Sequence, residues 1–346
     1  MMDRSTFEFK EEDLQISLGP EDYIYKLPEN KRSELSLGLG LTDQCNLQCP
    51  MCYYRENKKK ITSSSISIPK LKTILSNLGP VGSIVIGLEG EPLCHKNFSD
   101  IVQLCSSYTT NISIISNGLL LTKDLLNLFN KCNVKNIVLS CDGSDKQYYE
   151  KIRFGGIFSV FCKKALMASS LFQGQVSIHS VISNQNINDI HNMPHLASKL
   201  GINKISFAQL RQNSWSKKNS FYRASFYQLK IAIEQLVERA QENNTELTFD
   251  ALFASGELYK WMESKFSKKN FIKINHMDSC FFPWNFTSIL SDGRLFPCCG
   301  DINPVNMEKS NFDSIFNNEI LLKLRKALHT EIPPVCKECL GLSKNS

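Results

Sequence analysis

The chain has 346 residues, of which 42% are hydrophobic and 21% charged, and its formal net charge is +6. This composition is ordinary for a globular protein, and the length is sufficient for one large domain and a small one. Apolar runs all fall short of the roughly 20 residues of a membrane span, and residues 1–13 are too polar and acidic for a signal peptide. Short lysine clusters predict solvated turns, so neither a membrane nor a nucleic acid is expected as a partner.

The number of cysteines is high for a chain without an export signal. There are 13 of them. In a chain of this kind a disulfide framework is not expected, because disulfides persist in oxidising compartments. The composition therefore predicts metal binding in a reducing compartment, the cytoplasm.

Apolar runs alternate with amphipathic stretches along most of the chain. Residues 1–34 form a predicted N-terminal arm, and residues 213–275 a predicted helical bridging segment with helices over 221–241 and 252–266. Six strands are predicted between them, at 35–41, 83–88, 111–116, 136–140, 176–182 and 204–209. Helices are predicted at 68–78, 98–107, 123–132, 158–171 and 189–200. Strand–helix units with short connections predict parallel strands and an α/β fold, which is an open sheet or a barrel.

Three cysteines lie in one loop directly after the first predicted strand. Cys45, Cys49 and Cys52 have the spacing C-x3-C-x2-C, and the aromatic Tyr53 follows them. A structural zinc ion takes four protein ligands. A 4Fe–4S cluster bound by only three thiolates keeps one iron open to another ligand. The alternative is a loop of structural or zinc-binding cysteines.

Polar motifs follow the next three predicted strands. They are Glu89-Gly90-Glu91-Pro92, Ser116-Asn117-Gly118 and Ser140-Cys141-Asp142-Gly143, with Lys151-Ile152-Arg153 a little later. With the cysteine triad, these motifs resemble the radical SAM superfamily, although Glu89 replaces the first glycine of that family's Gly-Gly-Glu-Pro turn. The resemblance implies an incomplete (β/α)6 barrel of TIM type over residues 35–212. It also implies a 4Fe–4S cluster that reductively cleaves S-adenosylmethionine (SAM) to a 5′-deoxyadenosyl radical.

The resemblance also assigns cofactor contacts. It implies that Tyr53, Glu91, Asn117, Ser140, Asp142 and Arg153 bind SAM. Glu91 would accept from the amino group of SAM, Ser140 and Asp142 would bind ribose hydroxyls, and Arg153 would bind a carboxylate. An external one-electron donor such as flavodoxin or ferredoxin is the implied redox partner.

A second group of cysteines lies in the predicted C-terminal domain, residues 276–346. Cys280, Cys298, Cys336 and Cys339 follow the pattern C-x12-G-x4-C and C-x2-C, and Asp292-Gly293 predicts a hairpin turn between the first two. Four thiolates suit zinc or a fully ligated 4Fe–4S cluster. The pattern resembles the SPASM/twitch group, which implies one auxiliary 4Fe–4S cluster on these four cysteines, with Cys299 as a neighbour or an exchanging ligand.

The scattered cysteines and His179 have simpler explanations. Cys105, Cys132 and Cys162 are predicted to be buried small hydrophobes. Strand alternation predicts that Cys141 faces away from the site, and Cys94 lies near a strand end. His179 is predicted to face the barrel lumen or the core.

Three functions are compatible with the sequence. The first is oxidation or a related modification of a small metabolite such as a sugar or cyclitol, because a leader-binding domain is not expected in the N-terminal arm. The second is maturation of a ribosomally made peptide or protein. The third is a non-catalytic iron–sulfur or zinc protein.

Overall fold

A computed structural model describes residues 17–19, 24–52, 64–210, 214–250, 256–275, 282–296, 305–306, 311–312, 316–317, 319–333 and 336. The strands are β1 Ser36–Leu39, β2 Ser83–Ile86, β3 Ile112–Ser116, β4 Val134–Ser140, β5 Gln175–Ile182, β6 Lys204–Gln209, β7 Glu246–Phe249, β8 Ile272–Ile274, β9 Phe286–Ile289, β10 Arg294–Phe296 and β11 Val305–Asn306. The α-helices are α1 Ile68–Leu78, α2 Phe98–Ser106, α3 Lys123–Lys131, α4 Lys146–Ile152, α5 Phe158–Leu171, α6 Met193–Lys199, α7 Ser214–Lys218, α8 Phe226–Glu242, α9 Gly256–Phe266, α10 Phe282–Asn285 and α11 Glu319–Thr330.

The first helix illustrates how the local sequence sets an element. The side chain of Ser67 caps the N-terminus of α1 by accepting from the Lys70 amide at 3.4 Å, and a proline occupies the first turn. Leu71, Ile74, Leu75 and Leu78 recur at helical spacing and are buried against the sheet. Gly79 ends the helix with a φ of +71°, which a glycine adopts without strain.

The sheet is parallel through its whole central part. Its order is β11-β10-β9-β1-β2-β3-β4-β5-β6-β7-β8, and β1 to β8 pair in parallel with their sequence neighbours. Ile137, Ile178 and Ile205 are fully buried on the helix side, and Ser140, His179 and Ser206 alternate with them on the lumen side. This arrangement confirms the predicted α/β partial barrel.

The segment 213–275 differs from the prediction of a helical bridge. Its two helices are present as α8 and α9, but β7 and β8 also lie in it and extend the parallel sheet. These strands have only 4 and 3 residues, and β7 begins with a glutamate, so their apolar periodicity is weak. The segment therefore continues the β/α pattern of the core.

The C-terminal hairpin is joined to the core sheet. Strands β9 and β10 are antiparallel, and Gly293, with φ +83°, closes the predicted turn by donating to the Leu290 carbonyl at 2.8 Å. Strand β9 also pairs in parallel with β1, from Ser36 opposite Phe286 to Leu39 opposite Ile289. Among the described helices, none is both long enough and apolar enough to cross a membrane.

A buried arginine connects the N-terminal and C-terminal segments. Arg325 of α11 is fully buried and donates to the carbonyls of Pro283 and Tyr25 and to Oδ1 of Asn317, over 2.7–3.0 Å. Asn317 in turn hydrogen-bonds the backbone of Leu27 in both directions. Burial lowers the pKa of Arg325 to about 10. The described end of the N-terminal arm is therefore fixed on the C-terminal region.

Candidate active site at the carboxyl end of the sheet

The cysteine loop follows β1 and is anchored by apolar side chains. Leu47 and Met51 are buried with Ile152, Leu210 and Phe221. Cys49 is buried, whereas Cys45 and Cys52 are half-buried. Burial raises the pKa of the Cys45 thiol to about 11 and also raises that of Cys49, although the nearby Arg153 guanidinium opposes the shift at Cys49.

The loop after β2 contacts the cysteine loop through Gly90. Gly90 has a φ of +58°, and a Cβ there would lie 2.2 Å from the Thr42 carbonyl oxygen and 2.5 Å from that of Gln44. The next amide, that of Glu91, donates to the Gln44 carbonyl at 2.8 Å. Only glycine fits this position, because any side chain would separate the two loops.

The Glu91 carboxylate joins the loops that follow β2 and β3. It is 2% exposed, and its two oxygens accept from Ser116 Oγ at 2.7 Å, the Asn117 amide at 2.8 Å and the Leu93 amide at 3.2 Å. Burial raises the pKa of Glu91, and these hydrogen bonds oppose the rise. The side chain predicted to accept from SAM is thus already held by three protein donors.

Asn117 extends this network to the cysteine loop. Its Nδ2 donates to Asn46 Oδ1 at 2.7 Å, and its Oδ1 accepts from the Leu119 amide at 3.0 Å. Asn46 directly follows Cys45. The structure therefore links Glu91, Asn117 and the cysteine loop in one chain of hydrogen bonds, and the part of Asn46 in it was not predicted.

Asp142 and Arg153 form a buried ion pair. Arg153 Nε lies 2.5 Å from Asp142 Oδ2, at an angle short of a well-aligned hydrogen bond, with side-chain exposures of 13% and 0%. Asp142 Oδ1 accepts from the Val181 amide at 2.6 Å. Burial alone would lower the pKa of Arg153, but the negative charge of Asp142 outweighs it and the pKa is raised. The sequence predicted two separate cofactor contacts, whereas the structure pairs these two residues.

Polar residues of β4, β5 and β6, and one residue directly after β7, face the lumen beside this pair. Ser140 lies opposite His179, whose Nδ1 is 2.9 Å from Ser206 Oγ. Asp250 directly follows β7 on the lumen side, and its amide donates to the Phe207 carbonyl at 2.9 Å. Burial lowers the pKa of His179 and raises that of Asp250, and each charge opposes the shift of the other. Asp250 was not singled out from the sequence, although it ends a strand as Asp142 does.

The remaining cysteines agree largely with expectation. Cys141 is fully buried on the helix side and its thiol lies 3.3 Å from the Gly143 carbonyl, so it faces away from the lumen as predicted. Cys105 and Cys132 are buried and Cys162 is half-buried. Cys94 Sγ is 4.0 Å from Asn46 Oδ1, at the edge of the cysteine loop.

Several predicted site residues lie outside the described part of the chain. Tyr53, Cys280, Cys298, Cys299 and Cys339 are in this group, and their assignments stay predictions. Cys336 is described and half-buried. The SAM contacts assigned to Glu91, Asn117, Ser140, Asp142 and Arg153 also stay predictions, although all five are at the carboxyl end of the sheet.

Comparison with known proteins identifies the family. Residues 39–197 match the model of the radical SAM superfamily, and residues 280–340 match that of an iron–sulfur cluster-binding domain, SPASM. A PqqA peptide cyclase of Rhodopseudomonas palustris is 24% identical over 275 residues, 76% of this chain and 67% of that protein. A GTP 3′,8-cyclase of Clostridium botulinum is 25% identical over 307 residues, 85% of this chain and 89% of that protein.

A solved structure has the same fold. Streptococcus suis SuiB, bound to the precursor peptide SuiA, superposes with a TM-score of 0.64 at 16% identity, over 88% of this chain and 76% of that one. The fold, the cysteine loop and the matches define an enzyme that binds 4Fe–4S clusters and SAM. The chain belongs to the radical SAM superfamily and carries a SPASM-type cluster-binding domain.

The donor set fits the catalytic cluster. The three thiols of Cys45, Cys49 and Cys52 lie on one loop, and thiolates are the usual ligands of such clusters. Among the described residues, no three potential ligands converge on a single metal ion.

Proposed function

We propose that this enzyme uses radical chemistry to modify a ribosomally made peptide. The observation that carries the proposal is the similarity to a PqqA peptide cyclase across 76% of the chain. SuiB adds that a protein of this fold holds a precursor peptide. These comparisons favour the peptide over the small sugar-like metabolite that the sequence alone favoured.

In this proposal the loops at the carboxyl end of the sheet bind the cofactors. Cys45, Cys49 and Cys52 hold the cluster, which with SAM supplies the 5′-deoxyadenosyl radical. The backbone carbonyls beside Gly90 and the side chain of Glu91 receive the amino group of SAM. Ser140 is the lumen-facing hydroxyl available to the ribose, because Asp142 is engaged by Arg153 and the Val181 amide.

The lumen beside β5, β6 and β7 receives the residue to be modified. His179 Nε2 has no hydrogen-bond partner among the described residues, and burial favours the neutral imidazole. A neutral imidazole accepts a proton or a hydrogen bond from a substrate group. Asp250 adds a carboxylate on the same side. Reducing equivalents come from an external one-electron donor.

The test is co-expression with each short peptide encoded beside the gene, under anaerobic conditions. The proposal expects a peptide whose mass changes with wild type and not with the Cys45→Ala, Cys49→Ala, Cys52→Ala triple variant. The purified protein is assayed in parallel for 5′-deoxyadenosine from SAM and dithionite. If wild type cleaves SAM but leaves every co-expressed peptide unmodified, the peptide proposal fails.

A small-molecule substrate is the second candidate. It is supported by the similarity to a GTP 3′,8-cyclase, which covers 85% of this chain and 89% of that protein. Stimulation of 5′-deoxyadenosine formation by GTP or by a sugar-like metabolite, with no response to peptides, would favour it. His179 and Asp250 would then contact that metabolite.

A further inference from the structure

The residue that departs from the family's glycine makes a contact with the C-terminal region. Glu89 Oε2 accepts a hydrogen bond from the amide of Ser291 at 2.9 Å. Ser291 is 3% exposed and lies in the turn between β9 and β10. Glu89 directly precedes Gly90 and Glu91. It therefore connects the loop 89–92, the predicted SAM loop, to the C-terminal hairpin.

The end of β1 leaves room for this contact. A Cβ on Gly40 would lie 2.8 Å from Glu89 Cβ and 3.0 Å from Glu89 Oε2. The Gly40 amide donates to the Ile289 carbonyl at 2.7 Å, which continues the pairing between β1 and β9. Glu89 therefore crosses over a glycine to reach the hairpin, and a larger residue at position 40 would displace it.

Two further side chains hold the same turn. Lys70 Nζ donates to the Asp292 carbonyl at 2.8 Å, and Ser64 Oγ lies 2.5 Å from Ser291 Oγ. The Lys70 side chain also fills the space above Gly293, where a Cβ would lie 2.1 Å from Lys70 Cε. The turn 290–293 is thus fixed from the core by three side chains, of which only Glu89 belongs to the SAM loop.

The held turn leads directly to a predicted cluster ligand. Strand β10 begins at Arg294, directly after the turn, and ends at Phe296, and Cys298 follows two residues later. We propose that Glu89 is a positioning residue that fixes the strand preceding Cys298 in the sequence relative to the SAM-binding loop. The departure from glycine then sets the spacing between the two cluster regions.

The first readout is amide hydrogen exchange at Ser291, resolved by mass spectrometry with fragmentation. Glu89→Ala removes the acceptor, so exchange is expected to rise about tenfold or more. Glu89→Gln keeps an oxygen acceptor and is expected to restore protection. The matched control is Glu238→Ala, on the exposed face of α8, which leaves Ser291 protected.

The second readout is the magnetic coupling between the two clusters in the doubly reduced, reconstituted protein, measured by electron paramagnetic resonance. We expect Glu89→Ala to weaken and broaden the coupling and Glu89→Gln to match wild type. The two variants lose the same charge, so a difference between them reports the hydrogen bond. Iron content, about eight per chain for two clusters, is measured to ensure equal loading.

The proposal is overturned if Glu89→Ala leaves the coupling unchanged, even where Ser291 exchange has risen. It is equally overturned if the alanine and glutamine variants behave alike. Should Glu89→Ala fail to fold, Gly40→Ala displaces the Glu89 side chain from the Ser291 amide while leaving Glu89 itself in place. The same weakened coupling is then expected, and a wild-type spectrum contradicts the proposal.

Discussion

Replacing Asp142 by asparagine keeps the shape of the side chain and removes its charge beside Arg153. Removing one partner of a buried ion pair costs about 3–5 kcal/mol, because the other charge stays buried. Arg153 retains 13% side-chain exposure, and an asparagine oxygen can still accept from the Val181 amide. We therefore expect a loss at the lower end, about 3 kcal/mol in the free energy of unfolding.

The assay is thermal unfolding of protein with equal cluster loading. For a chain of this size about 2 °C of Tm corresponds to each kcal/mol, so Asp142→Asn is expected to lower Tm by about 6 °C. Glu238→Ala is the control, because its side chain is exposed on α8, and its effect should stay within about 0.5 kcal/mol.

A double variant tests whether the loss of stability in Asp142→Asn arises from breaking the ion pair with Arg153. Arg153→Met removes the buried cation, and Asp142→Asn together with Arg153→Met leaves no charge unpaired. The double variant is expected to be less destabilised than the sum of the two single variants, by about 1–3 kcal/mol. Additive single losses, or a Tm change below about 2 °C in Asp142→Asn, would refute the view that this ion pair is a buried and coupled unit.

Three further outcomes follow from the geometry. Gly90→Ala should lose SAM binding measured by calorimetry. Gly256→Ala has a similar positive φ and, among the described residues, no atom within 4 Å of its Cβ position, so it should lose only about 1 kcal/mol of stability. Equal effects would contradict the close approach of the two loops. Arg325→Met leaves the carbonyls of Pro283 and Tyr25 without this donor, and we expect it to lower the free energy of unfolding by about 1–3 kcal/mol, measured by thermal unfolding. An unchanged Tm would mean that these carbonyls find other donors. The lowered pKa of His179 means that the unfolded state binds more protons, so stability should fall as pH drops below about 6.5. The raised pKa of Asp250 has the opposite effect on stability, because the folded state then binds more protons, and stability falls as the pH rises above about 3.9. The slope of Tm against pH between about 5.5 and 6.5 should flatten in His179→Gln, and an unchanged slope would assign the effect to other groups.

The strands and loop motifs of the core could be predicted because their signals are local. Apolar runs mark β1 to β6, and polar residues at strand ends must gather at one edge of a parallel sheet. The pairing of Asp142 with Arg153 could not be predicted. They are separated by α4, and only the angle at which this helix leaves the sheet decides that their side chains meet.

Long-range partners account for the other differences. Nothing in the four residues of β9 indicates that they pair with β1, because the choice of partner depends on which sheet edge is exposed after the core forms. The strands β7 and β8 are so short that their apolar periodicity is weak, and the charged segment around them was therefore predicted to be helical. Asp250 was missed for the same reason, because its position at a strand end is evident only when β7 is known to be a strand.

The pairing of β9 with β1 makes the C-terminal region part of the core sheet. Strand β1 carries the cysteine loop at its carboxyl end, and β9 carries the turn held by Glu89 at the corresponding end. Parallel pairing brings both carboxyl ends to one edge, so the hairpin reaches Glu89 in the loop after β2 without a connecting linker. Arg325 donates to the carbonyl of Pro283, which lies just before the first residue of β9, and so supports the hairpin at the end away from its turn. The cysteine loop and the hairpin that precedes Cys298 in the sequence are therefore joined by a backbone ladder and by the hydrogen bond from the Ser291 amide to Glu89, and the positioning role proposed for Glu89 depends on this joint support.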